Sequence, residues 1–234
     1  MSNRKKLCSL VSLVLMFTLS VTAYAAETNV PSGNFEISTA EVNGEEVELV
    51  VLKSKALTRS ADNVVIDKET VFIPDFNEMT KEEHMENISL AKSRAIDPYQ
   101  FAENNKYIQF NSELAYNTER YLLEGQVLDL VDLISFKIDR TIHTNAPFNS
   151  FHNPTVVAKQ IGPVRGSGWG VLEQIYGQEK TYSNVTYGSR YDIPSDWMPV
   201  LPGVVGYKVG VNYRIKIDYL SGKDYTIEKW HEVR

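Results

Sequence analysis

The longest alternation of hydrophobic and polar residues lies near the end of the chain, from position 205 to 219. Every odd-numbered residue there is apolar or aromatic, and every even-numbered one is polar, charged or glycine. Such alternation is typical of a strand with one face in a core. Because the run is longer than an ordinary strand, we expect a bend or bulge at Gly206 or Gly210.

A return strand follows this run, and its apolar pattern selects the connecting loop. A three-residue loop over 220–222, with Gly222 in the left-handed conformation, sets Ile217 opposite Tyr225. A two-residue loop would set Ile217 opposite Thr226 instead. The apolar pairing therefore predicts the three-residue loop with a glycine bulge.

A second hairpin is predicted at the other end of the chain. Phe35–Val42 and Glu46–Leu52 are strand-like, and the Asn43-Gly44 pair between them tolerates the positive φ of a type I′ turn. With that turn, Ile37 falls opposite Val50. Another strand is expected over Val64–Ile73.

One helix is predicted to begin at Thr80. Thr80 and Glu83 have the spacing of a capping box, in which each side chain binds a free backbone N–H of the first turn. The apolar stripe is thin, so the helix is expected to lie on a surface, with His84 in solvent. The stripe comprises Met85, Ile88, Ala91 and Ala95.

The pattern from Tyr107 onward is mainly β, with a further alternating run from Ile134 to Ile142. The apolar stretch 122–134 fits either a buried strand or a helix, and its pattern does not decide between them. We predict a mainly β protein: an antiparallel β-sandwich over residues 99–234, immunoglobulin-like or jelly-roll-like in general architecture. Residues 26–98 would form a small hairpin and helix region, either a subdomain or a pro-segment.

The first 25 residues have the pattern of a secretory signal peptide. A basic head (Arg4 to Lys6) precedes an apolar run over 7–21, and Ala23-Tyr24-Ala25 follows. This predicts cleavage between Ala25 and Ala26 and a secreted product. A membrane anchor fits less well because the run is short, and a lipoprotein signal would need a cysteine after the run, whereas Cys8 precedes it.

Net charge and composition narrow the classes of partner. The chain carries a formal charge of −6. Loss of the predicted signal would remove three basic residues, which makes the mature chain more acidic, and it would also remove the only cysteine. An acidic protein argues against nucleic acid and anionic membranes as partners. No other long apolar run predicts a transmembrane segment in the mature chain, and no motif indicates a cofactor.

Aromatic residues provide the candidate binding site. The three tryptophans, Trp169, Trp197 and Trp230, lie late in the chain, with Arg190 and Tyr191 between the first two. Flat rings with a polar edge suit recognition of sugar or peptide. We predict a binding role for these five residues toward a cell-surface glycan or protein. The alternative is that the rings fill the ends of the sandwich or anchor loops.

Catalytic patterns are weak. His143 and His152 bracket a loop but have no third metal ligand at a familiar spacing. The acidic pairs Asp129/Asp132 and Asp192/Asp196 are compatible with glycoside hydrolysis, but their separation is not readable from sequence. We therefore predict an exported bacterial binding module without catalysis. The alternatives are a secreted hydrolase with a carboxylate site and, prompted by the 205–219 alternation, a pore-forming toxin.

Overall fold

The computed structural model describes residues 34–57, 64–75, 79–93, 106–142, 148–166, 172–175, 177–202, 206–222 and 224–233. Several sequence predictions lie outside these residues. They are the signal segment with its cleavage site at Ala25 and Ala26, the binding residue Trp169, and His143.

Twelve strands and one helix account for the regular structure of the described residues, and every strand pair is antiparallel. The helix α1 is Lys81–Lys92. The strands are β1 (Asn34–Val42), β2 (Glu45–Leu57), β3 (Val65–Pro74), β4 (Tyr107–Leu123), β5 (Gln126–Ile142), β6 (Phe148–Phe151), β7 (Thr155–Arg165), β8 (Leu172–Ile175), β9 (Glu179–Tyr182), β10 (Arg190–Asp192), β11 (Lys208–Tyr219) and β12 (Asp224–Glu232).

All twelve strands belong to one sheet, which is curled into a half-barrel. The order is β10-β5-β4-β3-β2-β1-β12-β11-β7-β8, with β6 paired to β11 and β9 to β7. The prediction of a mainly β fold is confirmed, whereas the two-sheet sandwich is not. Alternation along a strand shows only that one face of the strand is buried. It does not say whether that face covers a second sheet or the far side of the same sheet.

The predicted boundary near residue 98 separates strands that share this sheet. β1 pairs with β12, and β3 pairs with β4 along its whole length. The division of the chain into two regions stays a prediction.

The curl brings β5 close to β7, and two residues, Val200 and Gln160, connect these strands. Val200 exchanges backbone hydrogen bonds with Val131 of β5 at 2.7 and 2.9 Å, and it also bridges to Val164 of β7. The side chain of Gln160 on β7 reaches across too, because its Oε1 accepts from the backbone N–H of Leu133 at 2.6 Å. Backbone groups that a wider gap would leave unpaired are thus satisfied.

The concave face of the sheet carries the main apolar core. The odd-numbered residues of β11, from Val209 to Tyr219, are all buried there, as the alternation predicts. The strand begins at Lys208, three residues later than the alternating run. Gly210 has φ +148°, and a Cβ at this position would overlap the carbonyl oxygen of His231 on β12. The glycine therefore allows β11 and β12 to approach closely.

The predicted connections have the expected register. Ile217 pairs with Tyr225 across the loop, and Gly222 has φ +77°, so the three-residue loop is confirmed. In the β1–β2 hairpin Ile37 pairs with Val50. The stretch left open, 122–134, is strand on both sides of a Glu124-Gly125 turn in which both residues have positive φ.

The helix α1 packs on the convex face, against β1 and β2, and its apolar residues share a small cluster with Phe72 of β3 and Tyr107 of β4. The capping box between Thr80 and Glu83 is present, as predicted. The buried side chains of the helix are His84, Ile88 and Ala91, whereas Met85 is 51% exposed. The prediction that His84 is solvated is therefore wrong, because the helix meets the sheet one residue earlier than the apolar stripe indicates.

Candidate functional site

The described members of the predicted binding set do not gather on one surface. Trp197 is half-buried and packs against the core. Tyr191 stacks on Phe136 with ring centroids 5.5 Å apart, and its hydroxyl accepts a hydrogen bond from the backbone N–H of Thr186. Both side chains contribute to packing of the fold, which corresponds to the alternative that the sequence leaves open.

Arg190 is exposed but already occupied. Its guanidinium donates to Glu113 Oε1 at 2.8 Å. A cavity of about 210 Å³ lies beside this pair, and its other charges also pair internally, Lys68 with Glu113 and Lys137 with Asp139. Ligand sites are usually larger, at roughly 300–1,000 Å³. This region offers neither the volume nor an unsatisfied charge.

Of the two tryptophans among the described residues, Trp230 lies on the convex face of the sheet. It occupies an even position of β12, where the odd-numbered neighbours Lys229 and His231 point into the core, and it is half-buried. Glu228, two residues away, lies on the same face. Its indole ring is thus presented beside an acidic side chain.

A row of glutamates crosses the convex face next to Trp230. Glu41 on β1 lies directly opposite Glu46 on β2 and directly opposite Glu228 on β12. We call these three residues the acidic row. Like charges directly opposite one another on neighbouring strands destabilise a sheet. Within the described residues Glu41 and Glu46 have no ion-pair partner, while Glu228 accepts a hydrogen bond from Asn212.

A groove of about 520 Å³ adjoins the acidic row, between α1, the start of β2 and Tyr225. We call it the α1 groove. Its lining is apolar and acidic, and Glu46 belongs to both the groove and the row. The apolar lining residues are Val47, Pro74, Met79, Met85 and Tyr225, and the charged ones are Glu45, Glu46, Glu48 and Lys81.

The lining of the α1 groove also includes His84, whose ring has one unsatisfied nitrogen. Nε2 lies 2.8 Å from the carbonyl oxygen of Glu48, and because a carbonyl only accepts, Nε2 carries the hydrogen. Burial lowers the pKa of His84, which favours the neutral ring. Nδ1 is therefore a lone-pair acceptor, and it has no partner among the described residues.

The interior of the curled sheet contains a second polar group, made of core-facing residues of β3, β4 and β12. Lys229 Nζ lies 3.2 Å from Glu69 Oε1, and His231 Nδ1 lies 2.5 Å from Ser112 Oγ. The other ring nitrogen of His231, Nε2, is 3.7 Å from Asp67 Oδ1. We call these five residues the buried polar cluster.

The Ser112, His231 and Asp67 members of the cluster have the residue types of a hydrolytic triad but not its geometry. In a triad the histidine N–H donates a hydrogen bond to the carboxylate, and the 3.7 Å between Nε2 and Asp67 Oδ1 is too long for one. All three residues are at most 4% exposed, so a substrate would not reach the hydroxyl. We interpret the cluster as structural.

Another Ser, His and Asp meet at the surface, where β6 pairs with β11. His152 Nε2 lies 2.6 Å from Asp218 Oδ2, and Ser150 Oγ donates to the same oxygen at 2.9 Å. Hydrogen bonds from His152 and then Lys216 hold the pKa of Asp218 well below its usual range. The carboxylate thus anchors β6, and it does not activate Ser150. Within the described residues no three His, Cys, Asp or Glu side chains are grouped to hold a metal ion.

Comparisons with known proteins do not extend this description. No family model, no curated protein and no solved structure matches the chain. Among the described residues, no helix is both long and apolar enough to cross a bilayer.

Proposed function

We propose that the protein is an exported, non-catalytic binding module that acts at or outside the cell surface. Its binding surface consists of the acidic row, Trp230 and the α1 groove. The observation that carries the proposal is the acidic row, in which Glu41 is flanked by glutamates on both neighbouring strands. Export is supported by the signal-like pattern of residues 1–25.

A sheet selected only for stability would alternate charge signs at these positions. Opposite charges across a strand pair stabilise by about 0.2–1 kcal/mol, and like charges do the reverse. Proteins retain unfavourable arrangements mainly where function needs them. Elsewhere on the convex face Lys68 lies opposite Glu113 and pairs with it. Asp218 lies opposite Asp224, and Lys216 bridges these two carboxylates. The acidic row has no such basic side chain bound to it among the described residues.

The α1 groove adds shape to this charge. Its volume of about 520 Å³ lies within the range of ligand sites, and its lining combines apolar side chains with a few polar groups, as such sites do. Trp230 adds an aromatic ring on the same face as Glu228. A pore-forming toxin has no comparable support, because the apolar face of β11 is packed in the core. The serine–histidine contacts among the described residues do not support a serine hydrolase either.

Retention of the protein on extracellular material tests the binding proposal. We expect the wild-type protein to be retained on cell-wall glycan or on a secreted-protein fraction of its source. The variant Glu46→Gln with Trp230→Ala should lose at least about tenfold in affinity, the effect of removing roughly 1.4 kcal/mol of binding free energy. Glu124→Gln, on the distant β4–β5 turn, is the matched control. A double variant that binds as well as the wild type would contradict the proposed surface, and so would a wild type that binds nothing.

Export is tested separately by N-terminal sequencing. When the full chain is expressed in a secreting bacterial host, we expect the protein in the medium to begin at Ala26. A product that keeps residues 1–25, or that stays with the cells, would contradict export without bearing on the binding surface.

A further inference from the structure

We propose that the partner is a basic amphipathic peptide segment of another protein, which places lysine or arginine side chains along the acidic row and an apolar side chain in the α1 groove. This inference rests on the proposed function and names the partner of the same surface.

The charges of the surface favour a cationic partner. The α1 groove contributes Glu45 and Glu48 beyond the acidic row, and Lys81 is the one basic residue in the described lining. Lys92 neutralises Glu48, at 2.8 Å, and Arg214 on β11 lies opposite Glu228 at one end of the acidic row. Glu41 and Glu46 are left without an ion-pair partner among the described residues. A basic segment would replace the repulsion between them with attraction, whereas an anionic polymer would increase it.

The dimensions of the surface suit a peptide. Neighbouring strands lie about 4.8 Å apart, so the three carboxylates of the acidic row extend over roughly 10 Å, the length of about three residues of extended chain. Trp230 lies two residues beyond Glu228 on the same face. Its ring is placed to receive a lysine or arginine head by a cation–π contact.

The α1 groove accounts for the apolar part of the segment. Met79 and Met85 have flexible, polarisable side chains that adapt to different apolar groups, and Met85 is half exposed. The unpaired Nδ1 of His84 is an acceptor, so it is matched by an N–H donor and not by a carbonyl or carboxylate. A neutral glycan would leave the glutamates unpaired, which is why we favour the peptide.

The inference is tested with defined, fluorescein-labelled octapeptides and fluorescence anisotropy. The probe alternates lysine and leucine, and the comparison peptides alternate lysine with serine and glutamate with leucine. Dodecylamine and a neutral cell-wall oligosaccharide serve as competitors. We expect the lysine–leucine peptide to bind most tightly, with an affinity that falls as salt is raised, and the glutamate–leucine peptide not to bind.

Charge-neutralising variants locate the site. Glu41→Gln with Glu46→Gln should weaken binding of the lysine–leucine peptide at least about tenfold and should raise the melting temperature, because like-charge repulsion is removed. Loss of affinity together with a gain in stability is not produced by a damaged fold. Glu124→Gln should change neither quantity.

The outcomes separate the two proposals. Equal binding of the lysine–leucine peptide to the double variant, equal binding of the glutamate–leucine peptide, or dodecylamine binding as tightly as the peptide would each overturn the inference. If the oligosaccharide binds through Trp230 and the peptides do not, the inference fails while the binding function stands. If neither oligosaccharide nor peptide binds, and cell-surface material is not retained, both fail.

Discussion

Replacing Gly210 with alanine is expected to destabilise the protein strongly. The added Cβ would overlap the carbonyl oxygen of His231 and lie 3.0 Å from the Cα of Glu232, and both atoms belong to the β12 backbone. The backbone at φ +148° is also unfavourable for a residue with a Cβ. Strain and overpacking each cost about 1–3 kcal/mol, so we expect a loss on the order of 3–5 kcal/mol.

Gly177 provides the matched control for this substitution. A Cβ at Gly177 meets no atom within 4 Å, so Gly177→Ala should change the free energy of unfolding by less than about 0.5 kcal/mol. Urea denaturation followed by tryptophan fluorescence measures both variants. A Gly210→Ala protein with the wild-type midpoint would mean that β11 and β12 do not approach each other closely at Gly210.

Local pairing could be predicted from the sequence because neighbouring residues decide it. The register of β11 with β12 follows from matching apolar residues across a loop that contains a glycine, and the capping box of α1 follows from two residues three positions apart. Both predictions are confirmed. Each depends on side chains that are close in sequence, where the physical alternatives are few.

The architecture could not be predicted in the same way. The alternation along β11 is the same whether its dry face meets another sheet or the opposite side of a curled one. The bridging of β5 to β7 by Val200 depends on a residue outside every strand. The signal that could have indicated a polar interior was present, since Lys229 and His231 occupy the core-facing positions of the last strand.

The candidate binding surface was missed for a related reason. The acidic row exists only because β1 pairs with β12, which brings Glu41 beside Glu228 from the far end of the chain. Aromatic composition drew attention to Trp197 and Tyr191, which pack against the core, and also to Trp230, which lies on the surface. Residue type alone does not distinguish a ring that recognises a ligand from a ring that fills a core.

Replacing Lys229 with methionine is the second change from which we expect a large effect. Glu69 is 1% exposed and Lys229 is 4% exposed, so the substitution leaves a carboxylate in the core without its nearest cation. Removing one partner of a buried ion pair costs about 3–5 kcal/mol. Lys53 lies 3.6 Å from the other carboxylate oxygen of Glu69 and would still offset part of its charge. We therefore expect a loss of stability near the lower end of that range.

The second substitution Glu69→Met should reverse much of this loss. An apolar pair of similar volume avoids the desolvation cost of both charges, and such replacements are often neutral or stabilising. We therefore expect the double variant to be more stable than the Lys229→Met single variant, by roughly 2 kcal/mol or more, in a double-mutant cycle followed by urea denaturation. Additive losses in the cycle would contradict a desolvated pair. The expected non-additivity arises because the charge on Glu69 is costly mainly when its nearest cation is absent, so removing both charges removes that cost.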